Sequence, residues 1–243
     1  MSRKLLFAAL LTPSLAFARE FSSSLGPDSI AGNPLTLMGM LALLSLLPFA
    51  LIMLTSFSKI AVVLSMARSA MGTQQAPPTI VLTGLAAVLT AAVMAPVMQT
   101  MWTAGQSAYQ EVGSGAQLLS AGAKVVAPLR EFLIKHGDAD ERARFADLGR
   151  QLRPASEASQ VSENDWFVII PAFAITELKE AFEISFLIFL PFLVVDMVIA
   201  NVLLALGMQT LSPSQVSLPF KLLLFVAVNG WSLLAQGLIL GYR

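Results

Sequence analysis

The sequence of 243 residues contains no cysteine and a single histidine. The lack of cysteine excludes disulfides, thiolate metal sites and cysteine nucleophiles. Charge is also scarce, because only 12% of the residues are Asp, Glu, Lys or Arg and the 15 basic residues cancel the 15 acidic ones. Such a chain has no net field that would attract nucleic acid, so nucleic-acid binding is not expected.

The sequence motifs of common enzyme classes are missing as well. The chain has no H-E-x-x-H, no G-x-S-x-G and no glycine-rich phosphate loop. The one histidine, His136, lies beside Gly137 without a second His or Cys that would complete a ligand set. We therefore expect no enzymatic activity, no metal site and no cofactor.

Apolar residues dominate what the chain does contain. They make up 56% of the sequence and give it a mean hydropathy of +0.74. Soluble domains, by comparison, have about 25% charged residues. Long apolar runs with few charges are typical of membrane helices. The composition predicts an all-α, membrane-associated protein built from helical hairpins with kinked or broken helices.

The N-terminus has the pattern of a secretory signal. Arg3 and Lys4 form a basic region, a short apolar core follows, and Ala16-Phe17-Ala18 matches a cleavage site. The apolar part is too short to cross ~30 Å of hydrocarbon as an anchor. The sequence therefore predicts a signal peptide over residues 1–18 and a flexible lead-in over residues 19–34.

The first helical hairpin is predicted over residues 35–102. Its first apolar segment, residues 35–66, would be ~48 Å long as one straight helix, which exceeds the ~30 Å of a bilayer core. We predict a break at Pro48, since proline removes an internal helix hydrogen bond. Lys59 lies inside apolar sequence and needs an acidic partner, a carbonyl or water. In the alternative interpretation, Lys59 snorkels from a helix end.

The second apolar segment of this hairpin has one side made of small residues that recur every four positions. In lipid, small residues allow helix backbones to approach closely. This side is therefore predicted to be a helix-packing face. Its members are Thr79, Thr83, Ala87, Ala91 and Ala95.

Residues 103–165 are polar and hold most of the charge. They predict two amphipathic helices, over Ala116–Lys135 and Asp138–Leu152. With a signal peptide that starts the chain outside the cytoplasm, two spans return this region to the extracytoplasmic side, as a solvated helical hairpin. The predicted apolar face of the second helix comprises Phe145, Leu148 and Leu152.

The second helical hairpin is predicted over residues 166–243. An apolar stretch too short to span a bilayer leads into a charged turn. Glu177, Glu180 and Glu183 fall on one helix face there, and Lys179 is placed to pair with Glu183. Two interpretations remain open: a solvated elbow between two helices, or an acidic lining that partners a lysine on another helix or another copy of the chain.

Two later apolar runs, Ser185–Leu206 and Leu218–Leu240, contain polar residues where a lipid anchor would have only Leu, Ile and Val. Ionisable groups inside a bilayer cost ~2.5–3.5 kcal/mol each, so they indicate partners or a polar pathway. We predict a buried network of polar and charged groups. Its members are Lys59, Glu177, Glu180, Glu183, Asp196, Asn201, Lys221 and Asn229. An ion-coupled secondary transporter that uses Asp196 and Lys221 is the alternative function.

Four stretches, in order along the chain, resemble the FliP/SctR family. They are TSFSKIAVVLS at residues 55–65, GTQQAPP at 72–78, FLPFLVVD at 189–196, and SLPFKLLLFV through NGW at 217–231. Members of that family are export-gate subunits of flagellar and virulence-associated type III secretion systems. The run at residues 200–208 resembles the virulence-type SctR branch, whereas the signal peptide and the GTQQ motif are more flagellar. We favour the SctR branch.

The resemblance implies an export channel in the bacterial inner membrane. Family members form a homo-oligomer, expected to be a pentamer, within a ring-shaped conical pore complex that projects to the periplasmic side. The expected partners are FliQ/SctS-like, FliR/SctT-like and FlhB/SctU-like export-apparatus proteins. Unfolded secretion substrates pass through the central pore, in a flagellar basal body or an injectisome base.

The resemblance also implies a pore gate in the loop over residues 207–217. The family narrows its pore entrance with a methionine-bearing loop, and methionine side chains are flexible enough to seal against ions and still deform around varied peptides. By position, the gate residues are Met208, Gln209, Thr210 and Leu211.

Two positions depart from the family pattern. The family loop has several consecutive methionines, whereas this chain has Met208 followed by Gln and Thr. The family also has an Asp before Gly-Trp, where this chain has Asn229. Without that charge, Lys59 and Lys221 are expected to rely on Asp196 or on the glutamates.

Overall fold

A computed structural model describes residues 34–73, 76–111, 115–208 and 210–243, and these residues form helices without any strand. The predicted all-α class is therefore confirmed. The predicted signal peptide, and the lead-in up to residue 33, lie outside the described residues. The helices are α1 (Pro34–Met53), α2 (Phe57–Ala70), α3 (Thr79–Glu111), α4 (Gly115–His136), α5 (Ala139–Gln151), α6 (Ala155–Ala158), α7 (Trp166–Ala205), α8 (Pro213–Ala227) and α9 (Gly230–Leu240).

The chain divides into two compact units, residues 1–50 and residues 51–243. The break in the first apolar segment lies between Met53 and Phe57, because α1 continues through Pro48. The prediction of a break at Pro48 was therefore wrong. The hydroxyl of Thr55 donates to the carbonyl of Leu51 and accepts from the backbone N–H of Phe57 at 3.3 Å. This side-chain bonding competes with the helix ladder, ends α1 and starts α2.

Among the described residues, two helices are long and apolar enough to cross a membrane: Thr79–Ala108 within α3, and α7. The number rises to four if the two bent helix pairs each count as one span, one of them α8 with α9, bent by 58°. The 40 residues of α7 extend ~60 Å at 1.5 Å per residue, twice the ~30 Å of a bilayer core. The helix runs unbroken through the charged turn at Glu177. The solvated elbow between two helices was therefore the wrong interpretation.

The core of the second unit forms where α2 lies between α3 and α7. One side of α2 is buried along its length, because apolar residues recur there at helical spacing. The buried core residues that meet in this cluster are Ile60, Val63 and Leu64 of α2, Leu82, Ala86 and Leu89 of α3, Ala181 of α7 and Leu238 of α9.

The polar region forms the two predicted helices, α4 and α5, which pack on the first part of α7. Asp138 caps α5 by accepting a hydrogen bond of 2.9 Å from the backbone N–H of Asp140. The predicted apolar face of α5 was wrong for Leu152, which is 86% exposed, and for Leu148, which is also exposed, whereas Phe145 packs against the buried cluster around Ala146. Instead Ala146 is buried against Val168 at the start of α7, where a small side chain lets the two helices approach closely.

Candidate functional site

The first polar cluster joins α2 to α7 around Lys59. Its Nζ lies 2.9 Å from Oε1 of Glu177 and 2.5 Å from Oε2 of Glu180. The side chains of Lys59 and Glu177 are 5% and 0% exposed, so Lys59 does not snorkel to a helix end. Among the described residues no group forms a hydrogen bond of good geometry to Oε1 of Glu177, so its contact with Lys59 is ionic. The ammonium group of Lys59 therefore lies between the carboxylates of Glu177 and Glu180, in the space that a bound metal cation would need.

Tyr242, which follows α9, completes this cluster. Its hydroxyl donates to Oε2 of Glu177, and its ring centroid lies 4.2 Å from Nζ of Lys59, a cation–π contact. The ring also stacks on Phe132 of α4, with 6.0 Å between centroids. Burial, with the neighbouring Glu177 charge, raises the pKa of Tyr242 far above its usual range, so this hydroxyl remains a donor. No sequence pattern indicated this role, because an isolated Tyr near an apolar run has no distinguishing feature.

His136, at the end of α4, lies against the same ring. Its centroid is 5.1 Å from that of Tyr242 and 4.7 Å from that of Phe132. Burial lowers the pKa of His136, and the charges of Lys135 and Lys59 lower it further. The imidazole is therefore neutral at pH 7 and packs as an aromatic ring.

The second polar cluster joins α7 to α8 through the carboxylate of Asp196. Oδ1 accepts a hydrogen bond of 2.6 Å from Oγ of Ser217, and Oδ2 lies 2.6 Å from Nζ of Lys221. Ser217 is completely buried, and the side chain of Lys221 is 8% exposed, against 42% for Asp196. The sequence analysis named Asp196 and Lys221 as members of a polar network without pairing them, and it missed Ser217. The spacing of Ser217 and Lys221, one helical turn apart in an apolar run, was the signal available.

Three members of the predicted network lie outside both clusters. Within the described parts of the chain, Glu183, Asn201 and Asn229 are exposed and make no side-chain contact with either lysine. The predicted pair of Lys179 with Glu183 was wrong, since Nζ of Lys179 lies 3.8 Å from Oδ2 of Asp138. Asn229 has a backbone role instead, because its left-handed conformation, with φ of 53°, forms the bend between α8 and α9.

The predicted gate loop starts where α7 ends. The N–H of Met208 donates to the carbonyl of Leu203 at 2.9 Å, and the N–H of Gly207 donates to that of Leu204 at 3.0 Å. Gly207 has a φ of 70°. These features define a Schellman motif, which requires a residue that tolerates the left-handed region. The motif fixes the backbone of Met208, while its side chain is 46% exposed.

The other gate residues follow in the same loop. Thr210 and Leu211 are exposed, and Gln209 lies outside the described residues. The N–H of Leu211 lies 3.4 Å from the carbonyl of Met208. Both apolar side chains of the loop, those of Met208 and Leu211, are therefore available for contact with other molecules.

The small-residue side of α3 is exposed within this chain at every predicted position. The helix packs on α2 through its other side, by Leu82, Ala86 and Leu89. Thr79 accepts a hydrogen bond of 3.0 Å from Nη1 of Arg68. A packing role for this side therefore requires a second chain and stays a prediction.

The outer surface of α7 is apolar and uncovered in the single chain. In the most apolar stretch of 18 residues within α7, only 11% is buried in the single chain. The exposed large apolar residues of α7 include Phe182, Phe186, Leu187, Leu190, Leu193, Val194, Met197, Val198, Val202 and Leu204. An apolar surface of this extent is covered by lipid or by other proteins in a native setting.

Comparison with known proteins agrees with the motifs described above. A profile described as the FliP family matches residues 40–238. The chain belongs to the FliP family. Because the match covers most of the chain, the family resemblance drawn from four short motifs is confirmed.

Individual relatives cover nearly the whole chain. The hypersensitivity response secretion protein HrcR of Ralstonia nicotianae is 45% identical over 210 residues, which are 86% of this chain and 97% of the relative. Yop proteins translocation protein R of Yersinia pestis is 44% identical over 219 residues, which are 89% of this chain and 97% of the relative.

A flagellar relative matches at lower identity and over more of the chain. The flagellar biosynthetic protein FliP of Caulobacter vibrioides is 40% identical over 238 residues, which are 97% of this chain and 87% of the relative. The higher identities to the two secretion proteins favour the virulence-type branch. These relatives and the long apolar helices identify the chain as a membrane component of a protein secretion apparatus.

Proposed function

We propose that this protein is a core subunit of a type III secretion export gate. With SctS/FliQ-like and SctT/FliR-like partners, it forms the channel through which unfolded proteins cross the bacterial inner membrane. The observation that best supports this function is the most apolar stretch of α7, of which only 11% is buried in the single chain, within a helix about twice as long as a bilayer is thick. An apolar helix that extends beyond the bilayer needs protein to cover it.

A homo-oligomeric ring supplies that cover. Each copy would place the outer surface of its α7 against a neighbouring copy or a partner subunit, and the small-residue side of α3 is free to do the same. The pentamer expected from the family resemblance and an FlhB/SctU-like partner belong to this proposal.

The gate lies in the loop after α7. Met208 is held on a fixed backbone with an exposed thioether side chain, and Leu211 adds a second apolar group three positions later. Copies of Met208 around a ring axis would close the pore with flexible, uncharged side chains. A translocating peptide would displace these side chains without the cost of breaking ion pairs.

Contacts between the elements support the proposed orientation in the membrane. The turn after α2 lies beside Lys221 in the middle of α8, and Met71 of this turn packs with Phe192 of α7, on the half of α7 that leads to the gate loop. The hairpin of α4 and α5 packs on the opposite end of α7. This arrangement supports a cytoplasmic gate loop and a periplasmic hairpin, as the signal peptide predicts.

An ion-coupled carrier is the rival function. A carrier needs a carboxylate or ammonium group that exchanges its ion between two states. Both oxygens of Asp196 are occupied by Ser217 and Lys221, and Lys59 contacts two glutamates. The cavity between α7 and α9 is lined by apolar residues such as Ile184, Leu234 and Leu238. These features favour the gate subunit.

The mass and composition of the complex test the proposal directly. The protein is co-expressed with its SctS/FliQ-like and SctT/FliR-like partners, extracted in mild detergent and analysed by native mass spectrometry. We expect a multi-copy complex with both partners. A lone monomer, or substrate uptake by the purified single chain in liposomes, would contradict it.

A substitution on the exposed surface of α7 distinguishes contact with another protein from contact with lipid. Lipid accommodates a larger side chain, whereas a packed protein interface does not. Val194→Trp on the exposed surface of α7 should therefore reduce the fraction of chains in the complex. Leu152→Trp on the polar hairpin is the matched control, and equal assembly of the two variants would indicate that lipid covers α7.

A further inference from the structure

We propose that Asp196, Ser217 and Lys221 form a staple that positions the gate loop and keeps Met208 in the closed arrangement. The inference rests on the proposed function of that loop. It assigns positioning roles to three residues other than the predicted gate residues at positions 208–211, one of them the completely buried Ser217, which lies in α8.

One carboxylate joins two successive turns of α8. Oδ1 of Asp196 receives Ser217 at 2.6 Å and Oδ2 receives Lys221 at 2.6 Å. Ser217 and Lys221 are four positions apart, so they lie on the same side of α8. Contacts at two turns fix both the rotation of α8 and its position along α7, which a single contact would leave free.

The staple therefore fixes one end of the loop while the Schellman motif fixes the other. The motif holds Met208 to the end of α7 through the carbonyls of Leu203 and Leu204. The segment from Met208 to Ser212 connects these two anchors. A movement of α8 relative to α7 would therefore change the distance between the two anchors of the loop.

The turn after α2 supports the staple from a third side. Gly72 has a φ of 76°, and a Cβ at this position would lie 3.9 Å from Nζ of Lys221. This turn ends α2, where the helix dipole favours a positive charge. Lys221 of α8 thus pairs with Asp196 of α7 and lies beside the turn that ends α2.

Leakage of the assembled gate is the measurement that tests the staple. Ser217→Ala removes one hydrogen bond and leaves the ion pair intact. Ser214→Ala is the matched control, because the side chain of Ser214 is exposed. Ser217 contacts Ser214 through its backbone carbonyl, which this substitution leaves in place. We expect Ser217→Ala to raise small-molecule leakage per assembled complex about fivefold, the ratio that one net hydrogen bond typically contributes. The control should not change leakage.

A double variant shows whether Ser217 acts through the gate. Met208→Ala should itself raise leakage if Met208 forms the seal. If Ser217 acts by positioning Met208, then Ser217→Ala adds little leakage to Met208→Ala, whereas independent effects multiply. The staple would be overturned if the two substitutions multiplied each other's leakage. It would also be overturned if Ser217→Ala leaked no more than Ser214→Ala.

A disulfide provides a second measurement that does not depend on weakening the fold. The chain has no native cysteine, so Asp196→Cys with Ser217→Cys introduces the only pair. We expect low leakage in the oxidised complex and higher leakage after reduction. Equal leakage in both states would contradict the staple. If Met208→Ala fails to leak, the gate assignment itself fails, and the two failures are thereby distinguished.

Discussion

The two polar clusters use similar chemistry in different surroundings. At the first, Lys59, Glu177 and Tyr242 are all buried, and contacts come from four elements of the fold. At the second, Asp196 is 42% exposed and the contacts connect two helices that flank an exposed loop. When a fully buried ion pair loses one partner, an uncompensated buried charge remains. When one partner of the pair is half-exposed, water compensates part of the loss. The difference supports the proposal that the first cluster stabilises the packing of the helices and the second positions the gate loop.

The largest effect is expected at the centre of the first cluster. Glu177→Ala removes an ionic contact of Lys59 and the acceptor of Tyr242, so we expect a loss of about 3 kcal/mol in stability, in the range typical of a broken buried pair. Thermal unfolding of the purified complex measures this loss. Glu183→Ala, on the same helix and exposed, should change the midpoint little. Equal midpoints for the two variants would remove the distinction between the clusters.

A smaller loss is expected when only the hydroxyl of the same cluster is removed. Tyr242→Phe keeps the stacking on Phe132 and the contact with Lys59 and leaves an oxygen of Glu177 without its donor. Such an unpaired buried group costs about 1–3 kcal/mol. The unfolding midpoint should fall between those of the native protein and of Tyr242→Ala. A midpoint equal to the native one would show that the hydroxyl bond contributes nothing.

At the second cluster we expect a functional effect larger than the effect on stability. Asp196→Ala removes a half-exposed carboxylate and leaves the buried Lys221 without its ionic partner, so the loss of stability should be about 1–2 kcal/mol. Assembly of the complex is impaired more strongly, because α8 is no longer held to α7. The amount of complex on a native gel measures assembly. Asn201→Ala, exposed on the same helix, is the control. Normal assembly of Asp196→Ala would indicate that Asp196 is merely hydrated.

The smallest effect is expected from protonation of His136. Its pKa is lowered in the folded state, chiefly by burial, so the unfolded chain binds a proton first as the pH falls below about 6.5. The stability contributed by the neutral ring is complete above that pH. It is lost as the pH falls from there towards the lower folded pKa.

Thermal midpoints between pH 7.5 and pH 5.5 measure this dependence, with His136→Gln as the variant that should flatten it. The groups that face the imidazole are Phe132, Lys135, Tyr242, Lys59 and Glu180. Since these belong to the first cluster or adjoin it, leakage through the gate loop should not follow the same pH profile. A shared profile would mean that the two clusters are coupled.

Several features of the fold followed from local patterns in the sequence. The bounds of α4 and α5 were predicted closely, because apolar residues recur at helical spacing among the polar residues of both segments. The break in the first apolar segment was harder to predict. The break near Pro48 was misplaced because the side chain of Thr55, rather than the proline, supplies the competing hydrogen bonds.

The candidate site was predictable in its residue types and not in its pairings. An apolar run with Lys59 or Asp196 in it requires a partner, since the uncompensated charge is too costly. Which partner it finds depends on distance in space. Glu177 and Glu180 meet Lys59 because α7 is continuous through the charged turn, and Glu183 faces away from it. Tyr242 and Ser217 had no such requirement in the sequence, because neither is charged.

The sequence by itself determined the class of this protein: its apolar runs require a membrane or a protein partner, and its motifs specify the family. The tertiary structure decided which charges neutralise each other and which faces of the helices are buried. The physical reason is that hydrophobicity and helix periodicity are local properties of consecutive residues. Ion pairs and packing depend on contacts between residues far apart in the chain, as Lys59 with Glu177 and Asp196 with Lys221 demonstrate.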